Sequence, residues 1–274
     1  MQQLTIVTQG GLCNRLRVAL SALYFSQHTS APVRVEWMSK HKECFAHFTD
    51  LFEPIASANF RITPMRWWNR PVERKNLHLP ALMRLPLYNK QIKNFLPSKH
   101  GEIGTLLQQH HRLYLSTCSC IMDYPREVSS ALRPVTEIQR QIDAITQHFT
   151  PHTIGVHIRR TDNKASISGS PTSAFIEAMK KELSINSDTH FFVATDDTDV
   201  RALLQHTFPG RIITQEFHKC HRDTLDGMKQ AVVDLFCLAK TNKIIGSYWS
   251  SFTDMAAEIG NVTLLIAGRT NTQS

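Results

Sequence analysis

A histidine, two arginines and an aspartate crowd the end of one apolar run, Ile154-Gly-Val-His157-Ile-Arg159-Arg160-Thr-Asp162. Alternation through Ile154, Val156 and Ile158 specifies a buried strand. The charged groups then fall at its carboxyl end, the edge where open α/β sheets bind ligands. Two guanidinium groups there call for an anion. A phosphate or diphosphate suits them because a guanidinium grips its oxygens bidentately. The competing reading pairs these arginines with local acids or with water.

Three further clusters have the same placement between a strand and a helix. Gly10-Gly11-Leu-Cys-Asn14-Arg15 lets a ligand or a facing domain approach the backbone and offers the free amides of a helix start. It lacks the Gly-Lys-Ser/Thr of a Walker A loop and is not a Gly-x-Gly-x-x-Gly turn. Gly246-Ser-Tyr-Trp-Ser250-Ser251-Phe252 sets two hydroxyls beside unpaired N–H groups, a phosphate cradle or a simple N-cap. Ala194-Thr-Asp196-Asp197-Thr-Asp199 invites an Asp-x-Asp metal reading, but capping of the next helix is favoured. Asp196, nearest the strand end, could instead accept a proton from a ribose hydroxyl. Asp234 lies off the apolar stripe of a long helix, which makes it a surface carboxylate unless that helix borders a cleft.

The elements that must position these groups follow from periodicity. Strands are expected at Leu4–Thr8, Val33–Trp37 and Leu113–Ser116, with a helix over Leu12–Gln27 whose apolar face is Leu12, Leu16, Ala19, Leu20 and Leu23. After Pro54 the pattern dissolves into a Pro-, Arg- and Trp-rich region reaching about residue 111. A helix is expected at Glu137–Phe149. Later strands are expected at Thr153–Ile158, His190–Ala194, Arg211–Thr214, Lys243–Gly246 and Val262–Ala267. Helices Ser173–Leu183, Thr198–His206, Thr224–Thr241 and Ser251–Ile259 separate them, and a long polar loop runs to Pro171. Alternating strands and helices predict an α/β fold with parallel sheets wound on both faces. One such unit is expected at residues 1–150 and another at 151–274.

The 274 residues suffice for one large or two modest domains, and 31 basic against 23 acidic residues give a formal charge of +8. That excess suits an anionic ligand or an acidic surface. From Arg61 to Lys99 there are nine basic residues and one acid, Glu73, with Trp67 and Trp68 among them. Acceptor binding or peripheral membrane contact fits such a face, as does plain solvation. No nucleic-acid motif accompanies it, so no nucleic-acid partner is expected. The six cysteines lack metal-site spacing, there is no signal-like segment, and no apolar run reaches the roughly 18–20 residues of a membrane span. The expected location is the reducing cytoplasm, with contact at the inner membrane surface open through residues 61–99.

Taken together, these blocks resemble the fucosyltransferase superfamily, which includes the bacterial nodulation and animal core α-1,6-fucosyltransferases and the protein O-fucosyltransferases. The likeness rests on Gly10-Gly-Leu-Cys-Asn-Arg15, His157-Ile-Arg-Arg-Thr-Asp162, Ala194-Thr-Asp-Asp197, Asp234 and Ser250-Ser-Phe252, in that order. Trp37 with Phe48-Thr-Asp-Leu-Phe52 resembles a segment of the bacterial members. The resemblance implies a GT-B-like architecture, two Rossmann-like domains with parallel sheets facing across a cleft. The N-terminal domain would be the acceptor side and the C-terminal one would bind the nucleotide sugar, GDP-fucose. Arg159 would neutralise the β-phosphate, His157 and Asp234 would contact guanine, and Ser250, Ser251 and Phe252 would hold the diphosphate. Asp196 or Asp197 would serve the ribose or a neighbouring loop. Gly11 lies in the glycine turn, and Asn14 would face the reaction centre. Family members work without a metal, so neither metal nor cofactor is expected, and the partners are a nucleotide sugar and a saccharide.

The sequence departs from the family at the base. The core α-1,6 enzymes carry Asp-Lys after the arginine pair and a glutamate a few residues on. This chain has Asp162-Asn-Lys and no further acid until Glu177. Asp162, Glu43 or a group of the basic region could take the role, or the acceptor needs little deprotonation because bond breaking runs ahead. An inverting fucosyltransferase is the leading expectation; a GT-B enzyme with another donor and a non-catalytic sugar-nucleotide-binding protein are the alternatives.

Overall fold

The computed structural model describes residues 2–39, 41–71, 76–97, 101–161, 164–215 and 222–269. The chain divides into two compact units, Met1–Val135 with Arg222–Met228, and Thr136–His221 with Lys229–Ser274. Each is built on a five-stranded parallel sheet.

In the first unit β1 (Gln3–Thr8) is followed by α1 (Leu12–Gln27), β2 (Val33–Trp37) and β3 (Phe60–Pro64). Then come α2 (Leu79–Arg84), β4 (Lys90–Lys93), α3 (Glu102–Gln109) and β5 (Arg112–Thr117). Sheet order is β3-β2-β1-β5-β4, so the chain reverses direction across the sheet between β1 and β5. All five residues of the expected α1 stripe are buried, and so are most of the helix's other positions. Trp37, Phe48 and Phe52 belong to the core. Trp37 donates its indole N–H to Ala46 O at 3.0 Å and meets Phe48 edge-on, and Phe48 stacks on Phe52.

Among its described residues, the region in which periodicity was lost holds two strands and two α-helices. Strand β3 ends in Pro64, and β4 is a four-residue edge strand with lysine at both ends. Edge strands bury little and are blunted by such residues, so no apolar alternation marks them.

The second unit begins with α4 (Thr136–Thr146) and β6 (Thr153–Ile158). Next are α5 (Lys164–Gly169), α6 (Thr172–Ile185), β7 (His190–Thr195), α7 (Thr198–Thr207) and β8 (Ile212–Ile213). Helices α8 (Leu225–Ala239) and α9 (Ser251–Gly260) precede β9 (Lys243–Gly246) and β10 (Thr263–Ile266), respectively. The expected strand at Arg211–Thr214 shrinks to two residues, and the expected polar loop before Pro171 contains α5. Order β10-β9-β6-β7-β8 is the Rossmann arrangement, with its topological switch point between β6 and β9. Every residue of β6 is buried, as a central strand covered on both faces requires. Phe175, Phe191, Val193 and Ile245 join Val156 and Ile158 in the core; burial contributes about 1.5–3 kcal/mol for each large apolar side chain.

Candidate functional site

The switch point decides which side chains meet. The loop leaving β6 carries Arg159 and Arg160, and the loop leaving β9 carries Ser247 to Ser250. Ser247 ties the two together. Its buried hydroxyl donates to His157 O at 3.1 Å and accepts the Arg159 amide at 3.0 Å. Sequence reasoning gave Ser247 no role, because a contact spanning 88 residues has no local signal.

The two arginines separate in function. Arg160 donates to Arg159 O at 2.9 Å, Ser170 O at 2.9 Å and Thr172 Oγ1 at 3.2 Å, and its guanidinium lies 5.6 Å from the Phe175 ring centroid. It is a scaffold for the loop. Arg159 has its backbone clamped by Ser247 and its side chain partly exposed at the sheet edge.

Asp196 serves the same loop. It accepts the Arg160 amide at 2.7 Å and the Thr161 hydroxyl at 2.6 Å. Burial alone would raise its pKa. The Thr161 and Arg160 hydrogen bonds and the nearby Arg159 charge outweigh that and hold it below the usual carboxylate range. Of the two partners proposed for this residue, ribose or a neighbouring loop, the geometry provides the loop. Asp197 caps α7, accepting from the Asp199 and Val200 amides at 2.9 and 3.1 Å. Among the described residues no group of three His, Cys, Asp or Glu side chains could hold a metal ion.

At the start of α9, Ser250 occupies the N-cap position without capping: its side chain makes no bond to the first-turn amides. Its hydroxyl is nevertheless buried, with no hydrogen-bond partner among the described residues. Ser251 opens the helix and Phe252 follows, stacked on the His157 ring at 4.8 Å and 26°. The other face of this arrangement is Thr253, whose hydroxyl lies 2.6 Å from His157 Nδ1. Gly246 makes room for it; a Cβ there would fall 2.0 Å from Thr253 Cγ2.

Asp234 departs from the surface position expected of it. Although the residue keeps some solvent contact, its carboxyl is enclosed and accepts the Gln215 amide, which also donates to Gln230 O. Burial pushes it up to about 7, against the opposing pull of Gln215 and Arg201. Gln215 follows β8, so this carboxyl belongs to the same sheet edge as Arg159 and Ser250. Asp162, placed with the catalytic residues by sequence, lies outside the described residues.

In the first unit the glycine turn follows β1 at its own switch point. Gly10 needs to be glycine: its φ is +78°, and a Cβ would approach Asn14 Nδ2 to 2.8 Å. Gly11 is the ordinary extended N-cap of α1, where a Cβ would only touch Glu43 O at 3.7 Å. The conformational demand therefore falls on Gly10 rather than on Gly11. Buried Arg15 locks the turn by donating to Gly10 O at 2.7 Å and to Met38 O, beside the Trp37 ring. Burial lowers its pKa, countered by Cys44 and Glu43.

Two Rossmann-like parallel units with polar groups collected at a switch point define a doubly wound class of α/β architecture. Solved structures narrow it. The chain matches NodZ α-1,6-fucosyltransferase soaked with GDP-fucose with a TM-score of 0.62 and 20% identity, over 94% of this chain and 93% of that one. It matches POFUT1 in complex with GDP with a TM-score of 0.60 and 11% identity, over 97% and 99% of the two chains. A variant of Arabidopsis thaliana FUT1 in complex with GDP gives 0.60 and 14%, over 99% of this chain and 71% of that one. No protein-family model matches the sequence, and no curated protein sequence matches it. The fold is the α/β, GT-B fold of these fucosyltransferases.

Proposed function

We propose that this protein is an inverting, metal-independent glycosyltransferase of the fucosyltransferase superfamily, moving fucose from GDP-fucose to a saccharide acceptor. The observation that carries the reading is the buried Ser250 hydroxyl at the start of α9, left without a partner one strand away from Arg159. An unsatisfied buried hydroxyl costs about 1–3 kcal/mol. A phosphate oxygen would relieve that cost, and the amides of the first helical turn would bind the same group. The shared fold supports the choice of donor, since the neighbours were solved with GDP-fucose or GDP.

In this reading Arg159 stands at the β-phosphate, with Ser250 and Ser251 on the diphosphate. Phe252 holds the His157 ring in place toward the nucleoside, and Asp234 accepts from the guanine N1–H and amino group. Gly11 and Asn14 keep the acceptor-side role that the family resemblance gives them. As the fucose–phosphate bond stretches, negative charge gathers on the leaving diphosphate and positive charge on the sugar ring. A preorganised cation beside the phosphate stabilises that state more than the bound donor. The guanidinium thereby does what a divalent ion does in other transferases. Attack from the face opposite the leaving group inverts the anomeric centre.

Calorimetry with GDP and UDP, followed by turnover of GDP-fucose across a panel of saccharides, tests the proposal. Preferred GDP binding, GDP release in chelator and a product of inverted configuration by NMR are expected. Preference for UDP would overturn the donor, and GDP binding with no release on any acceptor would overturn catalysis.

A further inference from the structure

Helix α2 is turned inside out. Its buried positions are Pro80 and Arg84, while Leu79, Leu82 and Met83, spaced i, i+3, i+4 along one face, stand in solvent. Leu82 and Leu85 are each 63% exposed, and Leu87 continues the apolar run. Among the described residues, eight of the thirteen exposed large apolar side chains fall between Trp67 and Leu96. Patches of this kind on a folded surface mark contact sites.

The presentation is fixed from beneath. Arg84 donates to Trp68 O at 3.1 Å, Arg70 O at 2.7 Å and Gln91 Oε1 at 3.0 Å, and its guanidinium lies 4.1 Å from the Tyr114 ring centroid. One buried cation thus joins α2, the turn after β3 and the edge strand β4. Among the described residues from Arg70 to Leu96 the exposed charged side chains are of one sign: Arg70, Lys90 and Lys93. Glu73 is the one acid that the sequence carries between Arg61 and Lys99.

We infer that this face docks on an anionic phospholipid membrane, with the α2 leucines entering the headgroup boundary and the surrounding arginines and lysines meeting lipid phosphates. Apolar side chains ringed by cations match the interfacial mode of binding, in which apolar burial and attraction to acidic lipid act together. A second copy of the chain matches less well: it would set like charges against each other, and lysine is depleted in protein interfaces. The contact is peripheral in kind, since no helix among the described residues is long and apolar enough to cross a membrane. It does not depend on the donor assignment.

The test is flotation of the full chain with vesicles of neutral phosphatidylcholine, or of the same lipid carrying about 30% phosphatidylglycerol. At least tenfold greater binding to the anionic vesicles is expected, falling as salt is raised. Leu82→Glu with Leu85→Glu should abolish it, and Lys90→Glu with Lys93→Glu should weaken it at least fivefold. Calorimetric GDP binding and melting temperature should be unchanged in both double variants, since all four side chains lie outside the core. Equal binding to neutral and anionic vesicles, wild-type binding by both double variants, or a dimer in solution that the leucine variant dissociates would each overturn the inference.

Discussion

The two sheets are of equal size and parallel throughout, yet their carboxyl edges are furnished differently. At the first, charges are matched internally. Buried Glu36 accepts the Asn69 amide at 2.9 Å and the Arg66 backbone N–H at 3.0 Å, with the Arg66 guanidinium 3.6 Å away. Tyr114 donates to Asn69 O, and Arg84 lies on the Tyr114 ring. Asn69 Oδ1, Arg84 Nη2 and Arg15 Nη2 are among the atoms left over, but each belongs to a side chain that already joins strands to turns. At the second edge the left-over atom, Ser250 Oγ, sits where a helix begins and amides point outward. The carboxyl of Asp234 accepts from an amide, Gln215. One edge is a scaffold, and the other is the receptor edge of the proposed function. The contrast lies in what each buried polar group is opposed to, not in how many are buried.

Four measurements can break that contrast. The largest effect expected is on stability at the first edge. Glu36→Ala removes the acceptor of the Asn69 amide and the Arg66 backbone N–H and the carboxylate facing the buried Arg84 guanidinium, and should cost about 3–5 kcal/mol in urea unfolding, the range for leaving a buried charge uncompensated. Arg159→Ala should instead spare stability and lower kcat about 100- to 1000-fold, roughly 3–4 kcal/mol, with donor KM changed far less. Equal kcat in that variant would remove Arg159 from the reaction. Ser250→Ala should weaken GDP binding by about 1–2 kcal/mol, as loss of a hydrogen bond to a charged group does, without lowering the melting temperature of the free protein. A drop in that temperature would mean the hydroxyl already has a partner.

The smallest effect is the pH dependence of Asp234. Its carboxyl is held up to about 7 by burial, and under the proposed function only the ionised form would accept both guanine donors. GDP affinity should therefore rise several-fold between pH 6 and pH 8, and the rise should vanish in Asp234→Asn. Stability follows the opposite slope. The folded state binds the proton more tightly than the unfolded chain, so this residue's contribution is full below the ordinary Asp range and is lost as pH climbs to about 7. Asp196 works the other way, its contribution lost on acidification through its depressed pKa.

What could be read from sequence was whatever repeats along a helix or strand. The α1 stripe, the fully buried β6 and the strand–helix alternation after residue 153 are of this kind. Strand β4 and helix α2 were not legible, the first because an edge strand buries little, the second because its apolar face points to solvent. Within the site, the positions of Arg159, Ser250 and Phe252 at the sheet edge could be anticipated from strand ends. The division of labour between Arg159 and Arg160 could not, since adjacent identical residues differ only in what folds against them. Asp234 looked solvated on its own helix; the group that encloses it, Gln215, arrives from 19 residues away.

Gly246 has a consequence out of proportion to its size. The missing methyl admits Thr253, Thr253 steadies the imidazole of His157, and that ring stacks on Phe252. An alanine at this position would press on the threonine first and reach the His157–Phe252 stack only through it. Under the proposed function, libraries aimed at a new donor base could therefore begin at Gly246, a residue set behind that stack.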